Sequence, residues 1–134
     1  MTDDATPPTA AVRLTVPAVL DEIGAVRREL TRTVLDAGDD RSVAHDIALA
    51  ASELCTNVVQ YASTDDYRVT CHRHDGRWVL EVSHADGVDL DGPDQVPASS
   101  QGGRGLMIVR ALMDTVELVD ADDGTAIRCT TPTA

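Results

Sequence analysis

Ser52-Glu53-Leu54-Cys55-Thr56-Asn57-Val58-Val59-Gln60-Tyr61-Ala62 closes a longer run in which Val43, Ile47, Ala50, Leu54, Val58 and Tyr61 recur at steps of three and four. That is the period of a helix with one buried stripe. Glu53 and Asn57 are four apart, so they stack one turn from each other, on a face beside the stripe and not opposite it. A carboxylate and a carboxamide at the edge of a buried face are costly unless something pairs with them. A hydrated divalent cation is one such partner. The Asn oxygen can ligate it, and the Glu can accept a proton from its water or from an attacking hydroxyl. The same spacing also fits a solvated polar pair on a surface helix, and spacing alone leaves both readings open.

The elements on either side of this helix follow from local signals. Val12 to Val16 alternates apolar and polar residues and is expected to be a strand, ended by Pro17. Ala18 to Ala37 carries a helical stripe of Val19, Ile23, Val26, Leu30 and Val34, with Gly38 as its stop. Asp39-Asp40 can cap the helix from Arg41 to Ala62, and the short connection makes the two helices antiparallel neighbours. Tyr67 to His74 and Arg77 to His84 read as two strands joined by Asp75-Gly76, a strong two-residue hairpin signal. Tyr67, Val69 and Cys71 share one face of the first strand, and Trp78, Leu80 and Val82 one face of the second. His72 and His74 point the other way, with no Asp, Glu or Cys at metal-ligand spacing beside them.

From Ala85 to Ser100 the composition shifts to Gly, Pro, Asp, Ser and Gln, and no period holds. A loop of that length in a small domain is usually functional or mobile. Gly102-Gly103-Arg104-Gly105 then opens a helix to about Met113, followed by a strand from Thr115 to Val119. A turn at Asp122-Asp123-Gly124 leads to a last strand from Thr125 to Thr130. The expected fold is α+β: a two-layer sandwich whose mixed, mostly antiparallel sheet is covered on one face by three helices. Residues 1–10, polar and proline-bearing, are expected to be a disordered leader to a single domain over 11–134.

Composition narrows the function. The chain has 134 residues and a net charge of −12, which argues against a nucleic-acid partner. All 11 basic side chains are Arg, so a P-loop or any other lysine mechanism is excluded. No apolar run is long enough to span a bilayer as a helix. Cys55, Cys71 and Cys129 form no C-x-x-C pair and read as small core residues in a reducing compartment, with the cytoplasm as the default.

Glycines ahead of a helix let a ligand approach the backbone, and they leave N–H groups at the helix's positive end, where phosphate is stabilised. Arg104 can add a charge-assisted contact to a phosphate oxygen or to a partner protein. A tight turn without a ligand is the alternative for this stretch taken alone.

The resemblance rests on both stretches together. Ser52-Glu53-Leu54-Cys55-Thr56-Asn57-Val58-Val59 resembles the N-box of the GHKL (Bergerat-fold) ATPases, in particular the branch of small anti-sigma-factor serine kinases. Gln101-Gly102-Gly103-Arg104-Gly105-Leu106-Met107-Ile108-Val109 is similar to that branch's glycine-rich G2 box. The motifs stand in the family's order, and the element order fits over nearly the whole chain. The resemblance implies ATP and Mg²⁺ as cofactors, with Glu53 as general base or as the holder of the water that the metal orients, and Asn57 as the Mg²⁺ ligand. It places Gly102, Gly103, Arg104, Gly105 and Leu106 on the nucleotide, Thr125 near the adenine, and an ATP lid over 85–100.

One position departs from the family pattern. Where the family's G1 box has an adenine-binding Asp, the register Glu81-Val82-Ser83-His84-Ala85-Asp86-Gly87 puts His84, with Asp86 two residues on as a possible substitute. A neutral imidazole can accept a hydrogen bond from the adenine amino group, whereas a protonated one cannot. The resemblance further implies a sigma factor and a STAS-type anti-sigma-factor antagonist as partners, and a homodimer. Two functions follow: an anti-sigma factor that is also an ATP-dependent serine/threonine kinase, or a nucleotide-poor regulatory module that acts only through protein contacts.

Overall fold

The computed structural model describes residues 11–62, 64–84, 101–121 and 124–132. The expected leader and the expected lid over 85–100 lie outside these residues, as do Asp86 and the Asp122-Asp123 half of the last turn. The strands are β1 (Ala11–Pro17), β2 (Asp66–His74), β3 (Arg77–His84), β4 (Thr115–Ala121) and β5 (Gly124–Thr130), and the helices α1 (Ile23–Asp36), α2 (Arg41–Tyr61) and α3 (Gln101–Leu112). The five strands form one sheet in the order β1-β2-β3-β5-β4. Every pairing in it is antiparallel, where a mixed or mostly antiparallel sheet was expected. β3 and β4 run the same way with β5 between them, so β3-α3-β4 is a split β-α-β unit.

Local chemistry sets the element ends. Gly38 has φ +98°, and Asp39 N–H donates to Val34 O and Gly38 N–H to Leu35 O, the paired bonds of a Schellman stop. The Asp40 carboxylate caps α2 by accepting from Val43 N–H at 3.1 Å, a bond that lowers its pKa. Asp75 and Gly76 have φ +53° and +77°, as a two-residue turn of the primed type requires. The start of α1 differs from the expectation. Val19 is extended, Leu20–Glu22 forms a 3-10 turn, and the α-helix begins only at Ile23. Ala18 N–H donates to Asp65 O, which holds the chain on the sheet one residue beyond Pro17. Val19 fits the helical period yet is 49% exposed.

The core lies between the helices and one face of the sheet. Rows such as Leu14-Val69-Val82-Ile127 and Val12-Cys71-Leu80-Cys129 run across four strands. They meet Val26, Leu30 and Val34 of α1, Ile47, Ala50, Leu54 and Val58 of α2, and Val109 of α3. The opposite face is polar, with a row of Arg13, Thr70, Glu81, Arg128 and Glu117 in which Arg128 pairs with Glu81 at 2.8 Å.

Cys55, Cys71 and Cys129 are buried free thiols. Burial pushes Cys55 up to about 11, and Cys71 and Cys129 up to about 12. The buried Tyr67 hydroxyl, beside Cys55, is raised by the same cause and by that neighbour. Unfolded thiols ionise first as pH rises, so the folded state holds more protons above about pH 9 and stability must fall there. Three such groups cost up to about 4 kcal/mol per pH unit. The urea midpoint is therefore expected to hold to about pH 9 and fall steeply by about pH 11. A flat profile across that range would contradict the burial of the thiols.

Candidate functional site

Three segments named in the sequence extend away from one shared point of the molecule. Trp78, at the start of β3, donates its indole N–H to Asp39 just before α2, at 2.5 Å. Helix and strand thus start together, and both run away from that point. Glu53 and Asn57 lie about 18–24 Å along α2 at 1.5 Å per residue, and His84 about 23 Å along β3 at 3.3 Å per residue. α3 runs back in the opposite sense. Its last turn leads to Asp114, whose N–H donates to Thr130 O, and Thr131 N–H donates to Trp78 O. The C-terminus of α3 is therefore at the Trp78 end, and its N-terminus at the end that carries His84. Thr125 is the cross-strand partner of His84.

Glu53 and Asn57 are half-buried beside the core stripe of α2, and neither makes a hydrogen bond or ion pair to any described residue. Two oxygen donors left over on one helix face fit Mg²⁺, which takes few protein ligands and keeps several waters. Among the described residues no cluster of three His, Cys, Asp or Glu offers an all-protein metal cage. His84 is 3% exposed and lies on the same strand face as Trp78, Leu80 and Val82, so it points into the layer between sheet and helices. His72 and His74 are on the opposite face, and His74 is exposed.

The glycines sit differently from the expectation. α3 begins at Gln101, so Gly102, Gly103, Arg104 and Gly105 are inside its first turns and not ahead of it. The amides of the first turn, Gln101 to Arg104, still lack intrahelical acceptors and carry the positive end of the helix dipole. The side chains of residues 101–105 and of Thr125 lie outside the described ones. Leu106 is half-buried and packs on the core.

The sequence reading missed a groove between α1 and α2. Its volume is about 930 Å³, and it is lined by Arg27, Arg28, Arg32, Arg41, His45 and Glu53 among others. Four arginines line this cavity together with the carboxylates Asp36 and Glu53, and one of the four, Arg32, is paired with Glu29 at 2.6 Å. Arg28 and Arg32, four apart beside the stripe of α1, are the signal that was available in the sequence. The Arg27 and Arg28 guanidiniums fold back over Gly24, reaching within 4 Å of where its Cβ would stand.

A family model described as "Histidine kinase-like ATPase domain" matches residues 16–131. The chain is similar to the serine-protein kinase RsbW of Bacillus velezensis, 28% identical and covering 89% of this chain and 83% of the relative. The RsbW of Halalkalibacterium halodurans is 26% identical, with 89% and 81% covered. That of Bacillus subtilis is 28% identical, with 80% and 76% covered. Among solved structures, the RsbU and RsbW domains of a Mycobacterium tuberculosis protein share the fold, with a TM-score of 0.67 at 21% identity, over 94% of this chain and 34% of that one. A histidine kinase domain from Erythrobacter litoralis aligns with a TM-score of 0.53 at 15% identity, over 97% of this chain and 67% of that one.

Proposed function

The chain belongs to the histidine kinase-like ATPase domain family, and from that premise we propose that it is an ATP- and Mg²⁺-dependent protein serine/threonine kinase that sequesters a sigma factor and phosphorylates a STAS-type anti-sigma-factor antagonist. One observation carries this reading: α2 and β3 start, and α3 ends, around Trp78, which sets Glu53, Asn57, His84 and the N-terminus of α3 away from that point. Arg27, Arg28 and Arg41, which line the groove that reaches Glu53 and have no carboxylate partner among the described residues, support a protein partner with an acidic surface.

In this reading Asn57 holds Mg²⁺ through its side-chain oxygen, and the first amides of α3 hold phosphate oxygens. The ion, when bound, supplies positive charge against the charge that builds on the transferred phosphoryl group. Glu53 accepts the proton of the acceptor hydroxyl as its oxygen bonds to the γ-phosphorus, and the bond from that phosphorus to the ADP oxygen breaks. His84 accepts a hydrogen bond from the adenine amino group through one ring nitrogen. The buried free thiols accord with a cytoplasmic setting, and a homodimer is part of the proposal.

A buried histidine at the adenine-recognition position favours a second reading, a module with weak nucleotide affinity that acts by contact alone. Calorimetric titration with ATP·Mg²⁺ separates the two. Under the kinase reading the parent protein binds nucleotide, and His84→Asp tightens binding about tenfold, the worth of one better hydrogen bond of about 1.4 kcal/mol. No detectable binding by the parent and no gain from His84→Asp would favour the module.

A further inference from the structure

Glu53 stands in a turn of α2 that side chains hold from two sides. Ser52, the preceding residue, is 6% exposed, and its hydroxyl donates to Ala48 O at 2.9 Å. Thr56 repeats the motif one turn on, donating to Ser52 O at 2.7 Å. Two successive carbonyls on this face therefore take a hydroxyl donor, a pattern that bends a helix slightly. With the Ser52 proton committed to Ala48 O, its oxygen can only accept, and Arg27 Nη1 of α1 donates to it at 3.3 Å. Among the described residues Arg27 has no carboxylate partner, and it donates instead to this neutral hydroxyl. A guanidinium committed to a buried serine 25 residues away, beside Gly24 and in the groove that Glu53 lines, pins α1 to the turn carrying Glu53.

We propose that Arg27 is a positioning residue for phosphoryl transfer. Through Ser52 it fixes the rotation of the α2 turn, and so the place of the Glu53 carboxylate. The inference rests on Glu53 as the general base. Small errors in the placement of a base are costly to the rate while leaving binding nearly intact, so the effect falls on kcat and spares KM.

The test is steady-state phosphorylation of an antagonist protein by the parent, Arg27→Met, Arg27→Lys, Ser52→Ala and the double variant, with Glu53→Gln alongside. Arg27→Met is expected to lower kcat about tenfold with KM for ATP and for acceptor within about twofold. Arg27→Lys, which keeps a donor, should recover part of the loss. Ser52→Ala should match Arg27→Met, and the double variant should be no slower than either single, because the two act through one contact. Parental kcat in Arg27→Met, a loss confined to KM, or additive losses in the double variant would overturn the proposal. Glu53→Gln tells these failures apart from failure of the underlying reading. If it is inactive while Arg27→Met keeps full rate, only the positioning role is lost. If it is fully active, Glu53 is not the base and the inference falls with it. Amide hydrogen exchange across residues 52–57 reads the same contact without turnover: faster exchange in Arg27→Met supports it, and unchanged exchange overturns it.

Discussion

Glu53→Gln is expected to bind ATP·Mg²⁺ within about twofold of the parent and to transfer phosphate at least about a hundredfold more slowly. The substitution keeps shape and volume and removes only basicity. Glu53 is half-buried, and no hydrogen bond or ion pair among the described residues depends on its charge. Positioning and metal charge do most of the work in phosphoryl transfer, so the base accounts for a factor of about 10² to 10⁴ and not for the whole rate. The measurement is single-turnover transfer from saturating ATP·Mg²⁺ to an antagonist protein. Equal rates for variant and parent would remove Glu53 from the chemistry.

Asn57→Ala is expected to abolish the metal-dependent part of ATP affinity, a loss of about a hundredfold or more, with an unchanged urea midpoint. The carboxamide is the one protein ligand proposed for the ion, and a hydrated Mg²⁺ held by a single side chain has no substitute when that side chain is removed. The fold should tolerate the change, since Asn57 lies beside the buried row of Leu54 and Val58 and alanine is a better helix former than asparagine. Calorimetry in Mg²⁺ and in EDTA reads the effect directly. A folded Asn57→Ala with parental ATP·Mg²⁺ affinity would show that the ion, if bound, is held elsewhere.

What could be read in the sequence was local. Gly38, Asp40 and Asp75-Gly76 each impose one backbone geometry through one residue, and each sits where its chemistry placed it. The stripe of Ile47, Ala50, Leu54 and Val58 located the buried side of α2, and hence the edge that carries Glu53 and Asn57. Long-range relations were not legible. No local signal places β5 between β3 and β4, because that order depends on how α3 crosses the sheet. Val19 fitted the helical period, yet the bond from Ala18 to Asp65, 47 positions on, delays the helix to Ile23. The Arg27–Ser52 bond spans 25 residues and depends on the packing of α1 against α2, which periodicity implies but does not register. The resemblance of the two motifs is the source of the roles proposed for Glu53 and Asn57, which their spacing left open, and the match over residues 16–131 shows the family alone.

The central claim is that the end of the fold formed by α2, β3 and the N-terminus of α3 transfers phosphate from ATP to a protein hydroxyl. The most direct measurement is incubation of the protein with γ-labelled ATP·Mg²⁺ and a panel of STAS-type antagonists, followed by mapping of the labelled residue. The predicted result is Mg²⁺-dependent label on a serine or threonine of one antagonist, absent with Glu53→Gln and with Asn57→Ala. ATP·Mg²⁺ bound at saturation with no label on any antagonist, or label that persists in both variants, would contradict it.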